Sequence, residues 1–83
     1  MDGNKLKIRE FLSRFFQTQE LTDGDDFFER GFVTSLFAMQ LLMFVEKEFV
    51  VRVLDEDLDL QNFNTVNAID NFIRRKVGAA AAA

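Results

Sequence analysis

Apolar positions between Lys5 and Gln17 fall at Leu6, Ile8, Phe11, Leu12, Phe15 and Phe16. From Ile8 onward the spacing is 3-1-3-1, the rhythm of one helical face. Lys5, Lys7, Arg9 and Arg14 fall largely on the other side, and Asp2 or Asn4 can cap the start. A second helix is expected from Ser35 to Phe49, apolar nearly all round. Ala38, Leu41, Leu42, Val45 and Phe49 form one stripe by i+3/i+4 spacing, and Leu36, Met39 and Met43 form another. A chain of 83 residues cannot bury a helix on every side, so part of this surface is expected to be open or covered by a partner. Methionine suits such a face because its side chain is flexible and polarisable.

Residues 18–34 form a long connection. Thr22-Asp23-Gly24-Asp25-Asp26 is turn chemistry, and Gly31 breaks the chain again. The pair Phe27-Phe28 predicts that at least one ring folds onto the core and pins the loop, with Phe32 a further anchor. After the second helix, Val50, Val51 and Val53 predict an extended stretch. A short helix near Glu56 to Gln61 follows, with Leu58 and Leu60 inward. The last helix begins at Asn64 or Thr65, carries Val66, Ile69, Phe72 and Ile73 on one face, and ends in Arg74-Arg75-Lys76. The expected fold is all-α: a small four-helix bundle, three main helices and one short one, with a long first loop. It occupies residues 1–77, and Gly78 to Ala83 is a low-complexity tail that looks appended.

Composition sharpens this picture. Hydrophobic residues make up 48% and charged residues 29%, a globular balance. There is no Cys, which excludes disulfides, thiolate metal sites and a cysteine nucleophile. There is no His, which removes the commonest metal ligand and general base. Asp23-Gly24-Asp25-Asp26 lacks the spacing of a calcium loop, so no metal is expected. The net charge is −4, but residues 20–59 hold eleven acids against three bases, a net −8. An acidic centre repels phosphate backbones, which argues against nucleic acid, and it steers basic protein surfaces toward itself. No apolar run is long enough to span a membrane, and no signal-peptide core stands at the N-terminus, so a cytoplasmic monomer is expected.

Ser35 opens the apolar helix. Its plain reading is an N-cap, a role shared with Thr34. A serine hydroxyl needs an adjacent base to act as a nucleophile, and without His only a Ser-Lys pair remains formally open. Lys5, Lys7, Lys47 and Lys76 lie on helix surfaces or ends by pattern, so hydrolase activity is not expected. A helix N-terminus does tolerate an attached phosphate, because its N–H groups are unpaired and its dipole end is positive.

The stretch Asp25-Asp26-Phe27-Phe28-Glu29-Arg30-Gly31-Phe32-Val33-Thr34-Ser35-Leu36 resembles the phosphopantetheine attachment segment of acyl carrier proteins. The resemblance continues through Glu46-Lys47-Glu48-Phe49, Asp55-Glu56-Asp57, Phe63-Asn64-Thr65-Val66 and Ala68-Ile69, covering the chain to about Lys76 in order and spacing. It implies that Ser35 is esterified with 4′-phosphopantetheine by a transferase that uses coenzyme A. The thiol of the arm then holds an acyl group as a thioester, and the protein is a carrier rather than an enzyme. The family usually has Asp before the serine, where this chain has Thr34.

The segments Val33 to Leu41, Phe44 to Phe49 and Glu56 to Leu60 look most like free-standing carriers of alkoxymalonyl, hydroxymalonyl or aminomalonyl units. Such carriers serve polyketide and mixed polyketide–peptide antibiotic biosynthesis. D-alanyl and peptidyl carriers are also similar. The resemblance makes the second helix the main recognition element. Thr34, Leu36, Met39, Met43, Glu46, Glu48, Asp55, Glu56 and Asp57 are the expected partner contacts. The expected partners are the phosphopantetheinyl transferase and acyl-loading, acyltransferase and synthase enzymes with basic docking patches. The rival reading from another class is a helical interaction module without a prosthetic group.

Overall fold

In a computed structural model of the chain, residues 3–15, 17–30 and 34–82 are described, the side chains of 79–82 excepted. Three α-helices account for the regular structure: α1 (Gly3–Leu12), α2 (Ser35–Phe49) and α3 (Val66–Ala82). No strand occurs among the described residues. The radius of gyration is 12.3 Å, close to the roughly 12 Å of a packed domain of this length.

The apolar stripes meet in one core. Ile8, Phe11 and Leu12 of α1, Phe37, Leu41 and Val45 of α2, and Val66, Ile69, Phe72 and Ile73 of α3 are all buried. Helices α1 and α2 run antiparallel: Lys7 pairs with Glu48 at 3.4 Å, Phe11 stacks on Phe44 at 4.4 Å, and Phe15 meets Phe37 edge-on at 5.0 Å. Asn4 Nδ2 donates to Asp70 Oδ1 at 3.1 Å, tying α1 to α3.

Helix α1 is shorter than its apolar rhythm predicts. It starts at Gly3, which makes Asn4 a helical residue rather than a cap, and after Leu12 tightens into turns closed by Arg14 N to Phe11 O and Phe15 N to Leu12 O. Phe15 is left 40% exposed at the edge of the core, its ring against Phe11 and Phe37. The expectations for Asp2, Phe16, Gly31 and Phe32 lie outside the described residues.

The long connection is held by polar sutures as well as by Phe27, whose ring is fully buried. Arg9 Nε donates to Asp23 Oδ1 at 2.9 Å, and its terminal nitrogens reach the carbonyls of Thr18 and Leu21. Asp26 Oδ1 accepts the N–H groups of Phe28 and Glu29, while Oδ2 accepts Asn64 Nδ2 at 2.9 Å. Phe27 N donates to Asn64 O and Asn67 N to Asp23 O, so the loop is stitched to the start of α3. Asn64 is therefore a loop clasp, and Thr65 is the cap: its Oγ1 accepts Ala68 N at 2.8 Å.

The expected short helix is replaced by two 3-10 turns, Asp55–Asp57 and Leu60–Asn62. Carboxylates close both: Asp57 Oδ2 accepts Leu54 N and Asp59 Oδ1 accepts Gln61 N, each at 2.9 Å. These local bonds compete with a continuous helix. Leu58 and Leu60 are consequently 57% and 54% exposed rather than inward. They edge a small apolar groove of about 130 Å³ with Phe28, Ala38, Leu42 and Phe63. Finally, α3 runs on past Arg74-Arg75-Lys76 to Ala82, because alanine is the best helix former.

Candidate functional site

The site grows from the first turn of α2. Thr34 is the N-cap in extended geometry (φ −109°, ψ 167°), and its Oγ1 accepts Phe37 N at 3.2 Å. Its carbonyl accepts Ala38 N at 3.0 Å and starts the helical ladder. Ser35 occupies the first helical position, where its own N–H and that of Leu36 have no intrahelical acceptor. Ser35 is exposed, and its Oγ has no hydrogen-bond partner among the described residues. The chain's other serine differs: Ser13 Oγ donates to the Glu10 carbonyl at 2.7 Å. The N-cap role that sequence offered to both Thr34 and Ser35 thus falls to Thr34 alone.

From Ser35 an apolar strip runs down the open side of α2. Leu36, Met39 and Met43 are 65%, 62% and 66% exposed, while Phe37, Leu41 and Val45 turn into the core. Burial inverts along the helix because side chains three and four apart share a face. Next to the strip, between α1 and α2, lies a groove of about 480 Å³ reached by Arg14 and Lys47.

The acids named from sequence divide into two kinds. Glu46 is half-buried, and its Oε2 accepts Val53 N at 2.9 Å, so it fastens the extended segment to the end of α2. Asp57 caps its 3-10 turn and pairs with Lys76 of α3. The bond to the Lys76 ammonium, followed by that from Leu54 N–H, holds the Asp57 carboxyl below the usual carboxylate range. Glu48 is exposed and pairs with Lys7. Asp55 and Glu56 are exposed on the outer edge of the turn. The structural duties of Glu46 and Asp57 had no signature in sequence, since each depends on a partner brought in by the fold.

In the loop, the Thr22 N–H bonded to Asp25 Oδ2 lowers the Asp25 carboxyl; desolvation raises it by less, and the Arg30 guanidinium 3.2 Å away adds a weaker lowering. Asp23, Asp25 and Asp26 are engaged by N–H, guanidinium and ammonium groups, with Lys5 Nζ 3.8 Å from Asp23 Oδ2. No group of carboxylates with metal-holding geometry occurs among the described residues. No described helix is long and apolar enough to cross a membrane. Ser35, Leu36, Met39 and Met43 are all exposed and lie on one side of α2. A scan against protein-family models and a search of curated proteins find no match.

Proposed function

We propose that this protein is an acyl carrier whose Ser35 bears 4′-phosphopantetheine. The observation that carries the reading is the free, exposed Ser35 hydroxyl at the first position of α2. Thr34 supplies the cap, so esterifying Ser35 costs the helix no hydrogen bond. A phosphodiester at that oxygen gains the unpaired N–H groups of Ser35 and Leu36 and the positive end of the α2 dipole. The likeness of residues 25–36 to the family's attachment segment supports the same serine. The arm's thiol supplies thioester chemistry that a chain without Cys lacks.

The rest of the molecule serves presentation. The four-helix, acyl-carrier-like bundle belongs to this reading, with the two 3-10 turns in the place of the short helix. Leu36, Met39 and Met43 form the apolar part of a docking surface, and Glu48, Asp55 and Glu56 offer carboxylates to basic patches on successive enzymes. Such contacts favour fast, reversible docking. Thr34, Glu46 and Asp57 act on that surface by holding its backbone in shape. The reading is of a cytoplasmic, monomeric, non-catalytic carrier in polyketide or mixed polyketide–peptide biosynthesis, loaded with an acyl group of the substituted-malonyl class.

The experiment is incubation with coenzyme A and a promiscuous phosphopantetheinyl transferase, read by intact mass. The expected result is one added phosphopantetheine, absent from Ser35→Ala. No addition to the parent chain, or addition to Ser35→Ala, overturns the reading. Stable partner binding by a chain that takes no arm would favour the interaction module instead.

A further inference from the structure

We infer that Met39 and Met43 form a peroxide-sensitive modification site that regulates the loading of Ser35; the consequence for Ser35 rests on the carrier reading. Methionine is among the residue types most often fully buried, yet both of these side chains are exposed on α2, about one helical turn apart. The core is built instead from Phe, Leu, Ile and Val, side chains that stand outside the oxidation chemistry of sulfur. The chain has no Cys, His, Trp or Tyr, so its thioethers are the groups most open to an oxidant. Of the three methionines, Met1 lies outside the described residues, and the other two share one side of one helix. Met39 stands four residues beyond Ser35 and Met43 four beyond that, roughly 6 and 12 Å along the axis. An enzyme that seats this side of α2 while it reaches Ser35 covers both thioethers.

Hydrogen peroxide supplies the oxygen. The thioether lone pair forms an S–O bond as the O–O bond breaks, and sulfur gives up two electrons. The leaving oxygen, already carrying one hydrogen, takes the proton of the transferred oxygen and departs as water. The product is a sulfoxide, which is polar, chiral and a hydrogen-bond acceptor. In water it costs the fold little, because neither methionine belongs to the core or packs against it. Under an apolar partner surface the same oxygen loses its water without gaining a donor. The site therefore switches docking rather than folding. The change is reversible by reductases, one for each sulfoxide epimer.

The test treats the full chain, carrying no arm, with hydrogen peroxide, then clears the oxidant with catalase. Peptide mass, urea unfolding, retention on a phenyl column and the rate of arm transfer from coenzyme A at limiting chain concentration are measured. The expected result is one added oxygen on each of Met39 and Met43 in the folded chain, an unchanged urea midpoint and earlier elution. Transfer to Ser35 is expected to slow at least about fivefold and to recover after reductase treatment. The double variant Met39→Leu/Met43→Leu is expected to load at a rate that peroxide leaves unchanged. Oxidation of the two residues only in urea, a lowered midpoint, unchanged retention, or equal transfer rates before and after peroxide overturns the inference. So does an equal slowing of the double variant. An untreated chain that takes no arm contradicts the carrier reading, and the oxidation map, midpoint and retention then decide the site by themselves.

Discussion

Thr34 Oγ1 closes the first turn of α2 by accepting Phe37 N at 3.2 Å, and the adjacent Ser35 hydroxyl is left open to solvent. The division of labour between two neighbouring hydroxyls sets the chemistry of the site. Thr34→Ala is expected to lower stability by about 1 kcal/mol, the usual loss for an N-cap. Thr34→Asp keeps an acceptor and adds a favourable charge at the dipole end, so its stability is expected to match or exceed the parent's. Urea unfolding of the two variants decides the point, and equal losses in both would contradict the capping role.

Val50 ends α2 in the left-handed region, with φ 52° and ψ 50°. A β-branched residue is strained there, and Val50 is exposed, so it gains no packing in return. Val50→Gly is expected to raise stability by roughly 0.5–1 kcal/mol in the same assay, the relief of strain exceeding the added freedom of the unfolded chain.

The carboxyls of Asp57 and Asp25 lie below their ordinary range, chiefly through the Lys76 bond and the Thr22 N–H bond respectively. A group that binds its proton more weakly when folded stabilises the fold above its unfolded pKa. That contribution is lost as pH falls through the folded value. Stability is therefore expected to be flat near neutrality and to decline below about pH 4. Asp57→Asn is expected to be less stable at pH 7 and to show a shallower acid decline. An unchanged acid slope would contradict the Lys76 clasp.

Two apolar side chains, Phe27 of the long loop and Leu60 of the second 3-10 turn, give a contrast of burial. Phe27 is fully buried against Phe37, at 6.2 Å between centroids, whereas Leu60 is largely exposed. Phe27→Ala is expected to cost about 3–5 kcal/mol, and Leu60→Ala to stay within about 0.5 kcal/mol.

These residues also mark how far the sequence reaches. The bounds of α2 and its open stripe of Leu36, Met39 and Met43 are legible in the sequence, and Leu41 and Val45 fall in the core as spacing predicts. Phe37, which stood in neither expected stripe, is buried, whereas Ala38, Leu42 and Phe49 are only partly so. The loop's need for an aromatic pin is likewise visible in Phe27-Phe28. Leu58 and Leu60 could not be placed that way, because Asp57 and Asp59 side chains turn the backbone into two 3-10 turns. Glu46 and Asp57 read as surface charge until the fold brings Val53 N and Lys76 to them. The extension of α3 reflects alanine propensity, in a tail whose composition suggested an added segment. For Ser35, sequence alone allowed a cap. Its freedom depends on which of two adjacent hydroxyls takes Phe37 N.

Tandem mass spectrometry of the chain after treatment with coenzyme A and a phosphopantetheinyl transferase tests the central claim most directly. A carrier serine at the head of α2 gives a single modified peptide that ejects pantetheine and maps to Ser35, with Ser13 untouched. A modification on Ser13 or a threonine, or a Ser35 peptide of unaltered mass, would contradict it.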